Sequence, residues 1–217
     1  VPISPPGSSP VVWGASFYIG QKHIVKPLRF DYKESGFMIP TILPNEKDPS
    51  KPSPGMYMPI LFLDKAFPII FGREIWGFRK FQADFDLAIT DEEVRATLTK
   101  DGTQLVNVSM KLGDAVNNPT IPQTPPIFIR KFIPSAAKNE PAAVDQIVSL
   151  PLTQNTFTKM RPCTDASLTL GTSDSEPLGA IPVKDVVNAA SMYSENNFIL
   201  DFGDIAFDYA AQVAAHA

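Results

Sequence analysis

The segment Tyr57–Phe81 reads YMPILFLDKAFPIIFGREIWGFRKF, and its reading decides the fold. The apolar run from Met56 to Leu63 predicts a strand buried on both faces. Asp64 then stands where a helix cap belongs and Pro68 falls in the early turns, so a helix is expected from Asp64 to Trp76. Gly77 ends it, which leaves Lys80 in the connection to the next strand. A side chain at such a junction reaches a cavity while its backbone is fixed from both sides.

Lys80 closes a run that also carries Ile75, Trp76, Phe78 and Phe81. An ammonium held against apolar surface is disfavoured relative to the neutral amine. A neutral amine attacks a carbonyl and forms a Schiff base. The competing reading is a lysine that lays its stem on the aromatics and keeps its charge in water.

Four ordered motifs carry a resemblance. The Tyr57–Phe81 segment resembles the active-site segment of the acetoacetate decarboxylase family. There a Tyr-x-x-x-x-x-Leu-Asp strand leads to Gly-Arg-Glu, then to an aromatic residue, one further residue and the Schiff-base lysine. Lys80 falls on that lysine. Tyr32-Lys33-Glu34-Ser35-Gly36, followed by Ile39-Pro40, resembles a second signature and implies that Glu34 is the active-site glutamate. Ile181 to Val187 is a third match and Ile127 to Pro134 a fourth. The resemblance spans about Val11 to Tyr209. It implies a cone-like closed β-barrel with flanking sheets and an apolar interior. Phe78, Trp76 and Phe81 are expected to keep that interior apolar, and Tyr57 either lines it with them or only packs in the core. Two positions depart from the family pattern: Phe81 stands where a second lysine is common, and Arg79 where proline is usual. The family's N-terminal portion has no counterpart here. The expected assembly is a homo-oligomer, the alternative being a second chain that supplies this segment.

Composition narrows the classes. With 217 residues and 44% hydrophobic content the chain can build one substantial core. The expectation is a Pro-rich extended arm over residues 1–10 and a single domain over 11–217. A net charge of -4 with no basic patch argues against nucleic acid. No run reaches the roughly 18 apolar residues of a membrane span. VPISPPGSSP lacks the basic and apolar regions of a signal peptide. The one cysteine, Cys163, excludes an internal disulfide and fits a reducing compartment, so a cytoplasmic protein is expected, the alternative being a processed secreted one.

The 22 prolines suit short strands and many turns better than a helical bundle. Strands are expected at Val11–Ile19, Phe37–Leu43 (interrupted at Pro40), Phe85–Thr90, Ile127–Ile133, Gln146–Leu150, Ser167–Leu170 and Asn197–Phe202. Asp101-Gly102, between Val94–Lys100 and Thr103–Met110, is a hairpin signal. Pro44 to Gly55 reads as a loop and Pro182 to Met192 as a helix. The fold class is mainly antiparallel β with a few short helices (α+β).

Other chemistries lack their residues. His23 and His216 are the only histidines, so catalytic triads and zinc sites have no ligand set. No nucleophile elbow, phosphate loop or dinucleotide fingerprint is present. Arg73 and Glu74 are expected to form ion pairs that lock their loop. The implied function is decarboxylation of a small β-keto acid through a Schiff base at Lys80, with Glu34 positioning substrate or relaying protons. It needs neither metal nor organic cofactor. Two alternatives remain: a Schiff-base aldolase or dehydratase acting on a keto acid, and a non-catalytic barrel that binds an apolar ligand.

Overall fold

The computed structural model describes residues 12–22, 29–44, 50–120, 125–151, 157–183, 190–194 and 203–211. The expected arm, both histidines and the expected strand from Asn197 to Phe202 lie outside them. Contacts group into two compact units. One comprises Val1–Phe81, Gln123–Gln154 and Phe198–Ala217; the other comprises Gln82–Pro122 and Asn155–Asn197.

The first unit is built on one sheet. Its strands in chain order are β1 (Val12–Lys22), β2 (Arg29–Leu43), β3 (Ser53–Tyr57), β4 (Leu61–Leu63) and β5 (Lys80–Gln82). The second unit contributes β6 (Asp84–Ile89), β7 (Glu93–Lys100), β8 (Thr103–Leu112) and β9 (Val116–Asn117). The chain returns to the first sheet with β10 (Ile127–Ile133) and β11 (Val144–Leu150). It then adds β12 (Phe157–Leu170) and β13 (Ala190–Ser194) to the second sheet and β14 (Asp204–Asp208) to the first. The sheets run β14-β11-β10-β3-β2-β4-β5, with β1 also on β2, and β13-β12-β8-β7-β6, with β9 on β12. Among the described residues neither sheet closes on itself, so the closed barrel expected from the sequence is replaced by two open sheets. The first ends at the three-residue β5, after which the chain leaves for the second unit.

Two expectations about strands change for backbone reasons. The single strand expected from Met56 to Leu63 is broken into β3 and β4. Between the pairs Ile39↔Tyr57 and Gly36↔Leu61, β2 spends two residues and its partner three, Met58, Pro59 and Ile60. The extra residue is a bulge, and Pro59, which has no N–H to give the ladder, belongs at such a place. Conversely, β2 runs unbroken through Pro40. Met56, its partner, donates its N–H to Pro126 on the β10 side. Pro40 therefore sits at a non-hydrogen-bonded position of the β2–β3 ladder, where no N–H is needed. The loop expected through Gly55 gives way to β3 at Ser53.

Period-two alternation fills both faces of the first sheet. Ile127, Ile129, Val148 and Leu150 join one core cluster, while Phe128 and Ile147 join another with Leu43. Arg130, on β10, donates two hydrogen bonds of 2.8 Å to Asp145, its neighbour on β11. Those bonds hold the Asp145 carboxyl below the usual carboxylate range, with the attraction of the guanidinium adding to them.

In the second unit the Asp101-Gly102 turn has φ of 51° and 78° at its two central residues, the primed geometry that matches strand twist. The β7–β8 register skips Leu105, and this bulge puts Leu105 and Val106, consecutive in sequence, both in the interior. The helix expected from Pro182 to Met192 is not formed at its end, since Ala190 to Met192 lie in β13; residues 184–189 lie outside the described set. A 3-10 turn at Leu178–Ala180 precedes it. No helix among the described residues is long and apolar enough to cross a membrane.

Two measurements check this architecture. Leu105 is fully buried, so Leu105→Ala should lower stability by about 2–5 kcal/mol in denaturant unfolding. Its exposed neighbour Asn107 should tolerate Ala within about 0.5 kcal/mol. Because the folded-state pKa of Asp145 is lowered, its contribution is present above the ordinary carboxylate range and is lost as acid titrates the folded group. Wild type should exceed Asp145→Asn in stability at neutral pH, and the gap should close in strong acid.

Candidate active site

Glu34 lies on β2 opposite Leu63 of β4, and β5, which opens with Lys80, lies on the far side of β4. Leu61 donates its N–H to the Arg79 carbonyl at 2.9 Å, which fixes the alignment of β4 and β5. The two side chains consequently meet across the sheet. Lys80 Nζ donates to Glu34 Oε2 at 2.8 Å, with side-chain exposures of 8% and 13%. Nζ also sits 5.3 Å from the centre of the Phe78 ring. A charged pair in such surroundings loses much hydration, and short, charge-assisted contact is what offsets that loss.

The segment that delivers Lys80 differs from its expectation. The helix α1 covers only Ala66–Phe71, and Gly72–Trp76 form a π-helical turn that ends at Gly77 with φ of 91°. The amides of Gly77 and Phe78 both donate to the Gly72 carbonyl, at 3.0 and 3.1 Å. Asp64 does not cap the helix; the cap position is Lys65. The Asp64 carboxylate instead accepts the Lys33 N–H at 2.8 Å and pairs with the Lys33 ammonium at 3.6 Å, while its own N–H donates to the Lys33 carbonyl at 3.3 Å. Asp64 thus anchors β2 at the residue before Glu34.

Gly72 makes room for the lysine. A Cβ on Gly72 would lie 2.6 Å from Lys80 Cε and 2.8 Å from Nζ, so the amine rests directly on the glycine. Nothing in the local pattern marked this contact, because it joins a helical turn to a strand. Arg73 and Glu74, expected to pair ionically, are exposed and form no ion pair among the described residues. Their loop is held instead by Lys131, whose ammonium donates to the carbonyls of Ile75 at 2.8 Å and Glu74 at 3.3 Å.

The four aromatic residues expected to line the site divide. Trp76 and Phe78 are buried in the cluster that also holds Tyr32, Leu61 and Leu63, and Trp76 meets Phe71 edge-on at 5.3 Å. Phe81 follows Lys80 in β5 and alternation turns it the other way, toward Phe62 at 6.3 Å with Arg79 stacked on it at 5.3 Å. Tyr57 packs with Leu43, Phe128 and Ile147, a separate cluster from that of Trp76 and Phe78. The site so assembled is one amine and one carboxylate in contact, flanked by apolar side chains. Such a pair can exchange a proton and present a nucleophile.

The family model for acetoacetate decarboxylase (ADC) matches residues 5–210. The chain belongs to the acetoacetate decarboxylase family. The acetoacetate decarboxylase of Burkholderia cenocepacia strain HI2424 is 28% identical over 185 residues, covering 84% of this chain and 70% of that protein. That of Paraburkholderia xenovorans strain LB400 is 29% identical over 191 residues, covering 86% and 71%. Among solved structures, acetoacetate decarboxylase from Legionella pneumophila superposes with a TM-score of 0.68 at 24% identity, over 82% of this chain and 68% of that one. The enduracididine biosynthesis enzyme MppR, complexed with the condensation product of pyruvate and imidazole 4-carboxaldehyde, gives 0.65 at 16% identity, over 86% and 70%. Both likenesses establish the mostly β fold of this family for the chain.

Gly72→Ala isolates the contact beneath Lys80. Gly72 has ordinary right-handed helical angles, φ -66° and ψ -35°, so alanine is compatible with the backbone and favoured by helix propensity of up to about 1 kcal/mol. The atoms it meets are the movable end of a lysine. Helix propensity and the loosened Lys80–Glu34 contact oppose each other, so the melting temperature should change less than in Lys80→Ala, while any reactivity of Lys80 toward carbonyl compounds should fall at least tenfold. Unchanged reactivity would show that the amine has no need of that space.

Proposed function

We propose that this chain decarboxylates a small β-keto acid through a Schiff base at Lys80. The observation that carries the reading is the 2.8 Å contact between Lys80 Nζ and Glu34 Oε2 beside the buried Trp76–Phe78 cluster. Membership of the acetoacetate decarboxylase family supports the same chemistry. Glu34 takes a proton from the lysine, and the freed amine attacks the ketone carbon, forming the C–N bond while the carbonyl π pair moves to oxygen. A proton passes from the attacking nitrogen to that oxygen, giving the carbinolamine; Glu34 then returns its own proton to the hydroxyl, the C–O bond breaks, water leaves and the iminium remains. The bond to the carboxylate breaks, its electron pair flows to the iminium nitrogen, and carbon dioxide departs from an enamine. Protonation at carbon and hydrolysis release the ketone and restore Lys80. Apolar walls favour this step, since a charged carboxylate is consumed and a neutral gas is produced.

One observation favours a second outcome with the same covalent chemistry. A solved structure of the same fold, MppR, holds a condensation product of pyruvate with an aldehyde. The iminium stabilises a carbanion however it arises, so aldol or dehydration chemistry is the alternative fate of the intermediate.

Borohydride reduction in the presence of a panel of keto acids, with peptide mass mapping, tests the reading. Adducts should fall on Lys80, with carbon dioxide release for β-keto acids. Adducts without that release favour the aldol or dehydration outcome, and no adduct with any carbonyl compound sinks both. Glu34→Gln should slow adduct formation by about 10²–10⁴-fold, the usual worth of a positioned acid–base group. Lys80→Ala alone leaves Glu34 buried without its partner, a loss of about 3–5 kcal/mol for such pairs. The double variant Lys80→Met/Glu34→Gln is therefore the folded control without activity.

A further inference from the structure

We infer that Lys131, on a strand remote in sequence from the amine, is the positioning residue that holds Lys80 over Glu34. The consequence for catalysis rests on the Schiff-base reading; the structural hold does not. Lys131 grips the Gly72–Gly77 segment in two ways. Its ammonium donates to the carbonyls of Ile75 and Glu74, at 2.8 and 3.3 Å. Its stem lies under Gly77, where a built Cβ would fall 2.5 Å from Lys131 Cβ and 2.6 Å from Cγ. Gly77 thus needs to be glycine both for its left-handed φ of 91° and for this approach.

The carbonyls concerned are the ones that a helix end leaves without an internal donor. An ordinary continuation would offer them amides from Phe78 and Arg79. Here the Phe78 amide turns back to the Gly72 carbonyl, and the chain departs into β5. A cationic donor at the C-terminal end of a helical turn also meets the favourable end of its dipole. Lys131 forms no ion pair among the described residues, so its ammonium is committed to the backbone. From there the contacts run without a gap: Lys131 to the carbonyls of the π turn, Gly72 in that turn to the Lys80 side chain, and Lys80 to Glu34. Strand β10 therefore sets the height of the platform on which the amine lies.

Lys131→Met keeps the stem and removes the donors, while Lys131→Arg restores cationic donors. Hydrogen–deuterium exchange at the Gly77 and Phe78 amides, both bound to the Gly72 carbonyl, reads the hold without any substrate. Exchange there should quicken on the order of tenfold in Lys131→Met, the scale of one lost charge-assisted bond, and return toward wild type in Lys131→Arg. Borohydride trapping at Lys80 with acetoacetate should slow by at least tenfold at saturating ligand in Lys131→Met, again with recovery in Lys131→Arg. Unaltered exchange in Lys131→Met overturns the inference whatever the trapping shows. Faster exchange with undiminished trapping overturns the positioning role. If wild type traps no carbonyl compound at all, the Schiff-base reading fails, and the exchange comparison alone decides whether Lys131 holds the turn.

Discussion

The contact between Lys80 and Glu34 joins residues 46 positions apart, and the first unit is organised around making it possible. Neither charge could be buried alone, since an isolated ion in such surroundings costs several kcal/mol even after relaxation. Their meeting requires that Glu34 face the Trp76–Phe78 side of the sheet. A slip of one residue in β2 would turn that carboxylate to the opposite face and expose a different set of side chains to the core. Two devices hold the register. The bulge at Met58, Pro59 and Ile60 resets the phase between β3 and β4, and the Asp64 carboxylate ties down the Lys33 N–H beside Glu34. Along β2 the bulge faces Phe37 and Met38, three and four residues from Glu34, and the Asp64 carboxylate acts at Lys33, one residue from it.

The other half of the requirement is space. An α-helical run from Asp64 to Trp76 would leave the first residues of β5 elsewhere. The π turn instead sends the Gly77 amide back five residues to Gly72 and the Phe78 amide back six. Wide turns of this kind occur mostly as local departures and often at functional sites. Here the departure has a concrete use: it brings the bare α-carbon of Gly72 beneath the Lys80 side chain. Glycine, turn and lysine form one device, and the run GREIWGFRK is the stretch of chain that encodes it.

How much of this was legible in the sequence follows from the range of each signal. Alternation and turn chemistry are local, so β10 appears at Ile127–Ile133 as expected and the Asp101-Gly102 hairpin adopts primed angles. Lys80 and Glu34 were legible through motif order, although their contact is a property of the sheet. The losses occur where a distant partner competes for a local role. Asp64 has the composition of a helix cap, but Lys33 on another strand takes its carboxylate. Arg73 and Glu74 read as ion-pair formers, yet the turn faces them outward and Lys131 takes over the hold. Aromatic character groups Phe81 and Tyr57 with Trp76 and Phe78, but alternation in β5 turns Phe81 toward Phe62, and Tyr57 packs in the Leu43, Phe128 and Ile147 cluster. Barrel closure is a global condition on many registers, and no single segment encodes it.

The resting contact and the proposed reaction make opposite demands on the lysine. Attack needs a free electron pair on nitrogen, whereas the structure places that nitrogen in a tight contact with a carboxylate oxygen. The contact itself supplies the route out of that tension. In the proposed reaction the proton leaves Lys80 for Glu34, the carboxylate that already accepts its hydrogen bond. Once the iminium forms, a fixed positive charge replaces the titratable one and Glu34 is again the nearest counter-charge. Loss of carbon dioxide then discharges that cation in the step that breaks the carbon–carbon bond. In this account the carboxylate serves the amine before attack and the iminium after it, which is why one contact of 2.8 Å bears on both stages.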